Sequence, residues 1–248
     1  MSLFRASVFC LSLPVVTMLA VLPGAARPWD FTPLKPVVDE PGRKEWNWNG
    51  QHSLSLGVPA VVRYQRSGTP RIVVTGPKEA LDRVLVGEGR IVRDDDGWRW
   101  GFGGDETLQV TITGVALDRV SIGGSGKIHL GRLDQERMDA SIGGSGTITA
   151  EGRVEHLDLK IGGSGKIDFG QVTARDAQIK IGGSGNIDVT PREQANVTIG
   201  GSGTVRMGVK PAHMRARVAG SGHILVPGKD GGQADILQRM HGVAQVEY

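Results

Sequence analysis

Apolar and polar residues alternate between residues 122 and 226, on both sides of a glycine-rich segment that recurs six times. Counted from the serine of each segment, the residues five and three before it and three and five after it are apolar in every copy. The residues four before it and two after it are polar. Alternation with a period of two is typical of β-strands that bury one face. Each copy therefore predicts two strands joined by a tight turn.

The recurring segment reads Ile-Gly-Gly-Ser-Gly five times and Val-Ala-Gly-Ser-Gly in its last copy. Its serines are 20, 19, 20, 18 and 19 residues apart, so each interval predicts one coil of a repeat structure. Glycine on both sides of the serine permits a tight corner or a positive φ angle, which larger residues resist. The predicted structural turns comprise Gly124, Ser125, Gly126, Gly144, Ser145, Gly146, Gly163, Ser164, Gly165, Gly183, Ser184, Gly185, Gly201, Ser202, Gly203, Gly220, Ser221 and Gly222.

One such coil buries too few aliphatic side chains to offset the entropy lost in ordering its backbone. Stacked coils gain interstrand hydrogen bonds and cover the apolar surface of each layer from both sides. The pattern therefore predicts an all-β fold, a parallel β-helix or solenoid with coils of about 20 residues. Each coil would contain a strand, a turn, a second strand and a looser corner, such as residues 170–175.

The remaining chain predicts four further segments around the six coils of residues 122–226. Residues 1–26 are typical of a signal peptide, with Arg5 before an apolar stretch and small residues at its end. Residues 27–53, rich in proline and tryptophan, predict an extended tether, and residues 54–121 predict a β-rich head with the first coils. Residues 227–248 predict a degenerate closing coil, because residues 239–248 align without gaps on residues 160–169.

Two shorter patterns lie in the head. Residues 102–110 fit the coil template, with Asp105 standing 20 residues before Ser125, so the helix is expected to begin before the clean repeats. The acidic run Asp94-Asp95-Asp96-Gly97 is compatible with calcium binding, but Asp-Gly between two strand-like runs is a strong hairpin signal. We therefore interpret it as a turn.

Repeated Ile-Gly-Gly-Ser-Gly, followed by an alternating strand and preceded by a β-rich head, resembles the GIN domain family of autotransporter adhesin heads. The resemblance covers roughly residues 54–226. It implies a right-handed parallel β-helix on a bacterial envelope protein and brings no catalytic residues with it. A leucine-rich repeat is excluded by the missing leucine columns, and a calcium-binding β-roll by Ile167, which stands where its aspartate ligand should be.

Composition limits the chemistry that the chain can perform. The formal net charge is only +3 and the basic residues are interspersed with acidic ones, which disfavours nucleic acid as a partner. Cys10, the only cysteine, lies inside the signal segment, so the mature chain would hold no disulfide or cysteine-bound zinc. The serines do not fit the Gly-x-Ser-x-Gly pattern of a nucleophile elbow. We expect no metal and no cofactor.

One outward column offers an enzymatic alternative. The residues four after each serine would form a surface ladder, and stacking would place Asp168 and Asp188 on neighbouring strands about 4.8 Å apart. Two such carboxylates could bind calcium or serve a polysaccharide lyase or glycosidase. The other interpretation is a solvated face on which Arg206 and nearby lysines offset the repulsion. The ladder comprises His129, Thr149, Asp168, Asp188 and Arg206.

The sequence as a whole predicts an exported protein of the periplasm or cell surface, with a binding, adhesion-like or scaffold role and no enzymatic activity. Its partner would be an envelope protein or a glycan. No transmembrane span is expected after signal removal, although an uncleaved membrane anchor is the alternative for the N-terminus. The pattern predicts no particular oligomeric state.

Overall fold

The structure is a computed structural model that describes residues 32–48, 51–94, 108–228, 233–235 and 244–247. The predicted signal peptide, residues 95–97 of the acidic run and the template position Asp105 lie outside these ranges. The described part is built almost wholly from β-strands. Within it, no helix has the length and apolarity to cross a membrane.

Four long parallel strands stack at the centre of this part of the chain. Each begins just after one glycine-rich turn and ends just before the next, so each strand winds once round a solenoid. Their registers place Ile128, Ile148, Ile167 and Ile187 above one another. The strands are β10 (Lys127–Ile142), β11 (Thr147–Ile161), β12 (Lys166–Ile181) and β13 (Asn186–Ile199). The parallel β-solenoid that the alternation predicted is confirmed.

The coils that β10 to β13 form have three paired faces. We name the residues before the turn the first face, those after it the second face, and the segment that returns to the next coil the third face. The third face was predicted to be a loose corner, and this was wrong, because residues 171–174 pair in parallel with residues 151–154. Backbone N–H and C=O groups find partners one layer away whatever the side-chain pattern, so pairing extends round the corner.

The four apolar columns point inward and form a continuous core. Every residue in them is buried except Ala150, which is partly buried and packs against the core. The third face adds its own buried residues, among them Leu133, Val154 and Val172. Stacked isoleucines thus form the interior that one coil could not build alone.

Further strands extend the stack at both ends. Below β10 lies β9 (Arg119–Ile122), and above β13 lie β14 (Thr204–Met207), β15 (His213–Val218) and β16 (His223–Pro227). The coil directly beneath β9 and β10 consists of β3 (Ser53–Leu56) and β4 (Ala60–Gln65). The turn of this coil, residues 57–60, reads Gly-Val-Pro-Ala. It occupies the position in its coil that a glycine-rich turn occupies in each coil above.

The coil template placed residues 102–110 in the layer directly below the first clean repeat, with Leu108 in the position of Ile128. Both the layer and the register were wrong. Strand β8 (Leu108–Thr113) lies one layer lower, beneath β4, where Val110 pairs with Val62. Val62 also pairs with Ile128, so Val110 and not Leu108 corresponds to Ile128. A slip of two residues preserves the alternation of buried and exposed positions, and the pattern alone does not detect it.

The N-terminal end of the stack changes to antiparallel pairing. The elements of this end are β1 (Val38–Glu40), β2 (Arg43–Asn47), β5 (Arg71–Thr75), α1 (Lys78–Leu81), β6 (Val84–Gly87) and β7 (Arg90–Arg93). Strand β5 pairs antiparallel with β8, β2 with β5, and β1 with β2, while β6 pairs antiparallel with β7 beneath β3. Residues 38–47 thus form a hairpin in this cap and not the extended tether that the prolines predicted.

The C-terminal end is also antiparallel. Strand β17 (Gln233–Asp235) pairs with β16, and β18 (Ala244–Glu247) pairs with β15, both in the antiparallel direction. The predicted parallel closing coil is therefore wrong for these strands. The gapless alignment placed Ala244 at the position of Gly165, where a Cβ would lie 2.7 Å from the carbonyl oxygen of Gly146.

Candidate binding surface

The glycine-rich turns stack as closely as the strands do. The Ser164 N–H donates to the Gly144 carbonyl oxygen at 3.1 Å, and the equivalent bond recurs in other turns. A Cβ on Gly163 would lie 2.3 Å from the Gly144 carbonyl oxygen, whereas a Cβ on Gly162 would have no atom nearer than 4.0 Å. Among the turn glycines described, only Gly220 has a positive φ. Contact between layers therefore explains crowded glycines such as Gly163 and Gly165, whereas a positive φ, one of the two expected reasons, does not.

The serines of these turns point to solvent, and all six are exposed. The repeated turn therefore forms a narrow ridge of small residues along the solenoid. Backbone groups of each turn form hydrogen bonds with the turns in the layers above and below. The ridge therefore serves to hold the layers together.

The predicted ladder lies on the second face. His129 Nδ1 and Thr149 Oγ1 are 2.7 Å apart, and Asp168 stands in register with Asp188. Lys166 Nζ donates to Asp168 at 2.9 Å and lies 3.1 Å from Asp188. The ladder's fifth residue, Arg206, donates through Nη1 to Asp188 Oδ1 at 2.9 Å.

Asp168, Asp188, Lys166 and Arg206 thus form a cluster of two carboxylates and two cations. Hydrogen bonds to Asp168 and then Asp188 raise the pKa of Lys166 above its ordinary value, so the ammonium stays charged. Calcium would have to displace these cations. Among the described residues, no group of three or more His, Cys, Asp or Glu side chains is placed to hold a metal ion. The geometry is that of a charge-balanced surface.

The third face carries all the variation in coil length. The turn and the two strands beside it keep the same spacing from the serine in every copy, and only the returning segment differs. Register shifts also fall at this face, for example between His129 and Arg132 and between Phe169 and Thr173. Seven, six, seven and five residues respectively separate Leu130 from Met138, Ala150 from Leu157, Phe169 from Ala177, and Val189 from Ala195. The third face is consequently uneven.

A groove of about 810 Å³ lies on this uneven face. It crosses four successive coils, and each coil contributes one arginine to its lining. Three acidic side chains lie between the arginines, so the lining is polar and carries both signs of charge. The charged lining residues are Arg132, Asp134, Arg153, Glu155, Arg175, Arg192 and Glu193.

Internal contacts fix the two central arginines. Arg153 Nη2 donates to Glu155 Oε1 at 3.0 Å, and Arg175 Nε donates to Asp176 Oδ2 at 3.2 Å. The outer arginines, Arg132 and Arg192, make no such side-chain contact within the described residues. A groove with anchored charges at its centre and available ones at its ends is suited to an extended polar ligand.

Sequence reasoning missed this groove. Its residues come from the one segment of each coil that has no fixed column, so no repeated motif marks them. The signal that could have located it is the irregular spacing of the serines, since in repeat proteins length changes map to loops on one face.

Comparison with known proteins agrees with the fold. Residues 52–211 match a family described as "Putative auto-transporter adhesin, head GIN domain". A "putative adhesin" of solved structure from Bacteroides fragilis is 19% identical with a TM-score of 0.56, covering 73% of this chain and 94% of that chain. A "Putative lipid binding protein" from Parabacteroides distasonis is 20% identical with a TM-score of 0.46 and the same coverage, 73% and 94%. No curated protein sequence matches significantly. Because the family match spans more than half of its length, the chain belongs to the GIN domain family of auto-transporter adhesin heads.

Proposed function

We propose that this chain is an exported envelope protein that binds an extended ligand, a glycan or a protein segment, through the third-face groove and catalyses no reaction. One observation carries the proposal: the variation in coil length and a charged groove occur on the same face. The first and second faces keep regular columns, which suits a scaffold. Membership of an adhesin family supports an extracellular or envelope location.

The enzymatic alternative finds less support. Asp168 and Asp188 lie on the second face, away from the groove, and Lys166 and Arg206 already neutralise them. An inverting glycosidase needs room for a water between its carboxyl groups, and a retaining one, with groups about 5 to 5.5 Å apart, needs one nucleophile and one proton donor in different environments. Asp168 and Asp188 are too close for the first and share Lys166, so they lack the different environments that the second needs.

The binding proposal is tested by filling the groove. Thr173 lines it and is half-buried, so Thr173→Trp would block it. Thr204→Trp is the matched control, because Thr204 is equally half-buried but lies on the second face. In co-sedimentation with isolated cell envelopes, we expect saturable binding by the wild type and by Thr204→Trp, and loss of binding by Thr173→Trp. Equal binding by both variants, or no saturable binding by the wild type, would contradict the proposal.

Catalysis is tested separately. The wild type and Asp188→Asn are incubated with acidic polysaccharides, and the release of reducing or unsaturated ends is measured. We expect no release by either protein. Turnover by the wild type that Asp188→Asn abolishes would replace the binding proposal with the enzymatic one.

A further inference from the structure

A second charged surface lies where the second face meets the third. We name it the corner patch and define it by five residues in two adjacent coils. Strands β4 and β10 bring them together, with Arg63 and His129 directly paired in the parallel register. All five side chains are exposed. The corner patch comprises Arg63, Arg66, Lys127, His129 and Arg132.

None of these side chains contacts a carboxylate within the described residues. Arg63 donates to the amide oxygen of Gln109 at 3.0 Å, and Arg66 donates to the backbone carbonyl of Asp134 at 2.9 Å. His129 contacts a threonine hydroxyl. The arginines and Lys127 thus have no carboxylate contact, although Glu151 stands in register with Arg132 on the next coil.

The second face behaves differently from β12 upward. There Lys166 contacts both Asp168 and Asp188, and Arg206 contacts Asp188, so the second face is balanced. In the corner patch, by contrast, Arg63, Arg66 and Lys127 concentrate positive charge on one exposed surface. A bound anion would balance this charge.

The surroundings indicate the kind of anion. Val37 is the only large exposed hydrophobic residue among those described, and it does not belong to the corner patch, so nothing there would anchor a membrane. Trp46, Trp48 and Tyr64 are buried, which leaves no aromatic platform for nucleic acid bases in this part of the structure. Arg132 belongs both to the corner patch and to the groove lining, so the two surfaces are continuous.

We infer that the corner patch binds the anionic groups of an acidic polysaccharide whose chain continues into the third-face groove. The inference rests on the proposed binding function and adds the chemical class of the ligand. Arginine suits this task because its guanidinium binds carboxylate or sulfate groups through two parallel hydrogen bonds. Lys127 would contribute a point charge beside them.

Calorimetric titration of the full chain with polygalacturonate, dextran sulfate and neutral dextran tests this inference. We expect one or both charged polymers to bind and neutral dextran not to bind. The double variant R63Q/K127Q should bind about tenfold more weakly or worse, since it removes two charge-assisted contacts. Binding should also weaken as salt screens the charges.

The matched control is K180Q/R217Q. It removes the same charges from the first face, where neither side chain contacts a carboxylate within the described residues. Its affinity should stay within about twofold of the wild type, because these charges lie on the first face, whereas the ligand would contact the second and third faces. Equal weakening of both double variants would overturn the inference.

Failure to bind either charged polymer would also overturn it, as would equal affinity for anionic lipid vesicles or DNA. These results are separable from failure of the proposed function. If Thr173→Trp loses envelope binding and the wild type has no affinity for acidic polymers, the groove remains the proposed binding site. An acidic polysaccharide is then rejected as its ligand.

Discussion

Replacing Gly163 by alanine tests why the turns contain glycine. The new Cβ would lie 2.3 Å from the Gly144 carbonyl oxygen and 2.8 Å from that of Gly143, both on the layer below. The layers must move apart, and overpacking of this kind costs about 1 to 3 kcal/mol. Weakening of the Ser164 N–H bond to Gly144 adds about 1 kcal/mol. The reduced entropy of the unfolded chain returns about 0.4 to 1 kcal/mol.

Gly162 is the control inside the same turn. A Cβ there would meet only the Ile142 carbonyl oxygen at 4.0 Å, an ordinary contact. We expect Gly162→Ala to be neutral or to stabilise by up to about 1 kcal/mol. Gly163→Ala should lose about 1 to 3.5 kcal/mol, which corresponds to a Tm lower by roughly 2 to 14 °C for a chain of this size.

Urea and thermal unfolding, followed by circular dichroism, measure both variants. The expected result is a clear separation, with Gly163→Ala unfolding first. Equal unfolding midpoints would refute the argument from layer contact. Comparable destabilisation by Gly162→Ala would indicate that the turn needs glycine for its backbone angles.

Three further substitutions test other parts of the fold. Tyr64→Phe should cost about 1 to 3 kcal/mol in urea unfolding, because the buried hydroxyl accepts from the Leu117 N–H at 3.3 Å. Burial raises the pKa of Tyr64 above its ordinary 10.0, so its contribution holds below pH 10 and is lost as pH rises through the raised pKa. Wild-type stability should therefore fall more steeply than that of Tyr64→Phe in alkaline titrations, and parallel curves would argue against this. Lys166→Gln should cost under about 1 kcal/mol, less in high salt, because the ion pair with Asp188 is partly exposed; a salt-independent loss above about 2 kcal/mol would contradict this. Ile167→Ala should cost about 2 to 5 kcal/mol, since Ile167 is fully buried, and a neutral result would contradict the stacked core.

The regular part of the solenoid was predictable because sequence and packing share one period there. Each coil repeats the same four inward positions, and only aliphatic or small apolar residues fill them without cavities or strain. Ile161 and Ile167, on either side of one turn, are buried as the alternation required. These four columns are sufficient to predict the fold class, whichever apolar residue occupies each position.

The third face could not be predicted in the same way. Its length changes from coil to coil, so no column exists in the sequence to reveal that its backbone pairs. Gly152, with φ of +114°, lies in register with Leu133, yet nothing in the local sequence marks that conformation. Strand pairing on the third face depends on the coils above and below it. These contacts join residues far apart in sequence, so the local sequence does not predict them.

The lowest regular coil was expected within residues 54–121, but its position was not identified, for a related reason. Its turn contains only one glycine, Gly57, so it does not resemble the repeated motif. Between this coil and the next in the stack, the chain makes a long excursion that builds the N-terminal cap. Neighbours in space are far apart in sequence here, and spacing rules do not apply.

The enzymatic hypothesis illustrates a further limit of reading columns. Stacking brought Asp168 and Asp188 together as expected. The sequence could not show that Lys166 reaches both carboxylates, because that depends on side-chain rotamers. Whether two neighbouring carboxylates form an active site therefore depends on the cations that contact them, and the spacing of the two acids in the sequence does not show this.

Binding of a ligand in the third-face groove can be measured by carboxyl labelling of the free and the envelope-bound protein. Asp134 and Glu193 line opposite ends of the groove and are exposed, whereas Glu79 is exposed in the N-terminal cap and serves as reference. We expect that binding protects Asp134 and Glu193 and leaves the labelling of Glu79 unchanged. Unchanged labelling of both groove acids, with protection confined to Asp168 on the second face, would contradict it.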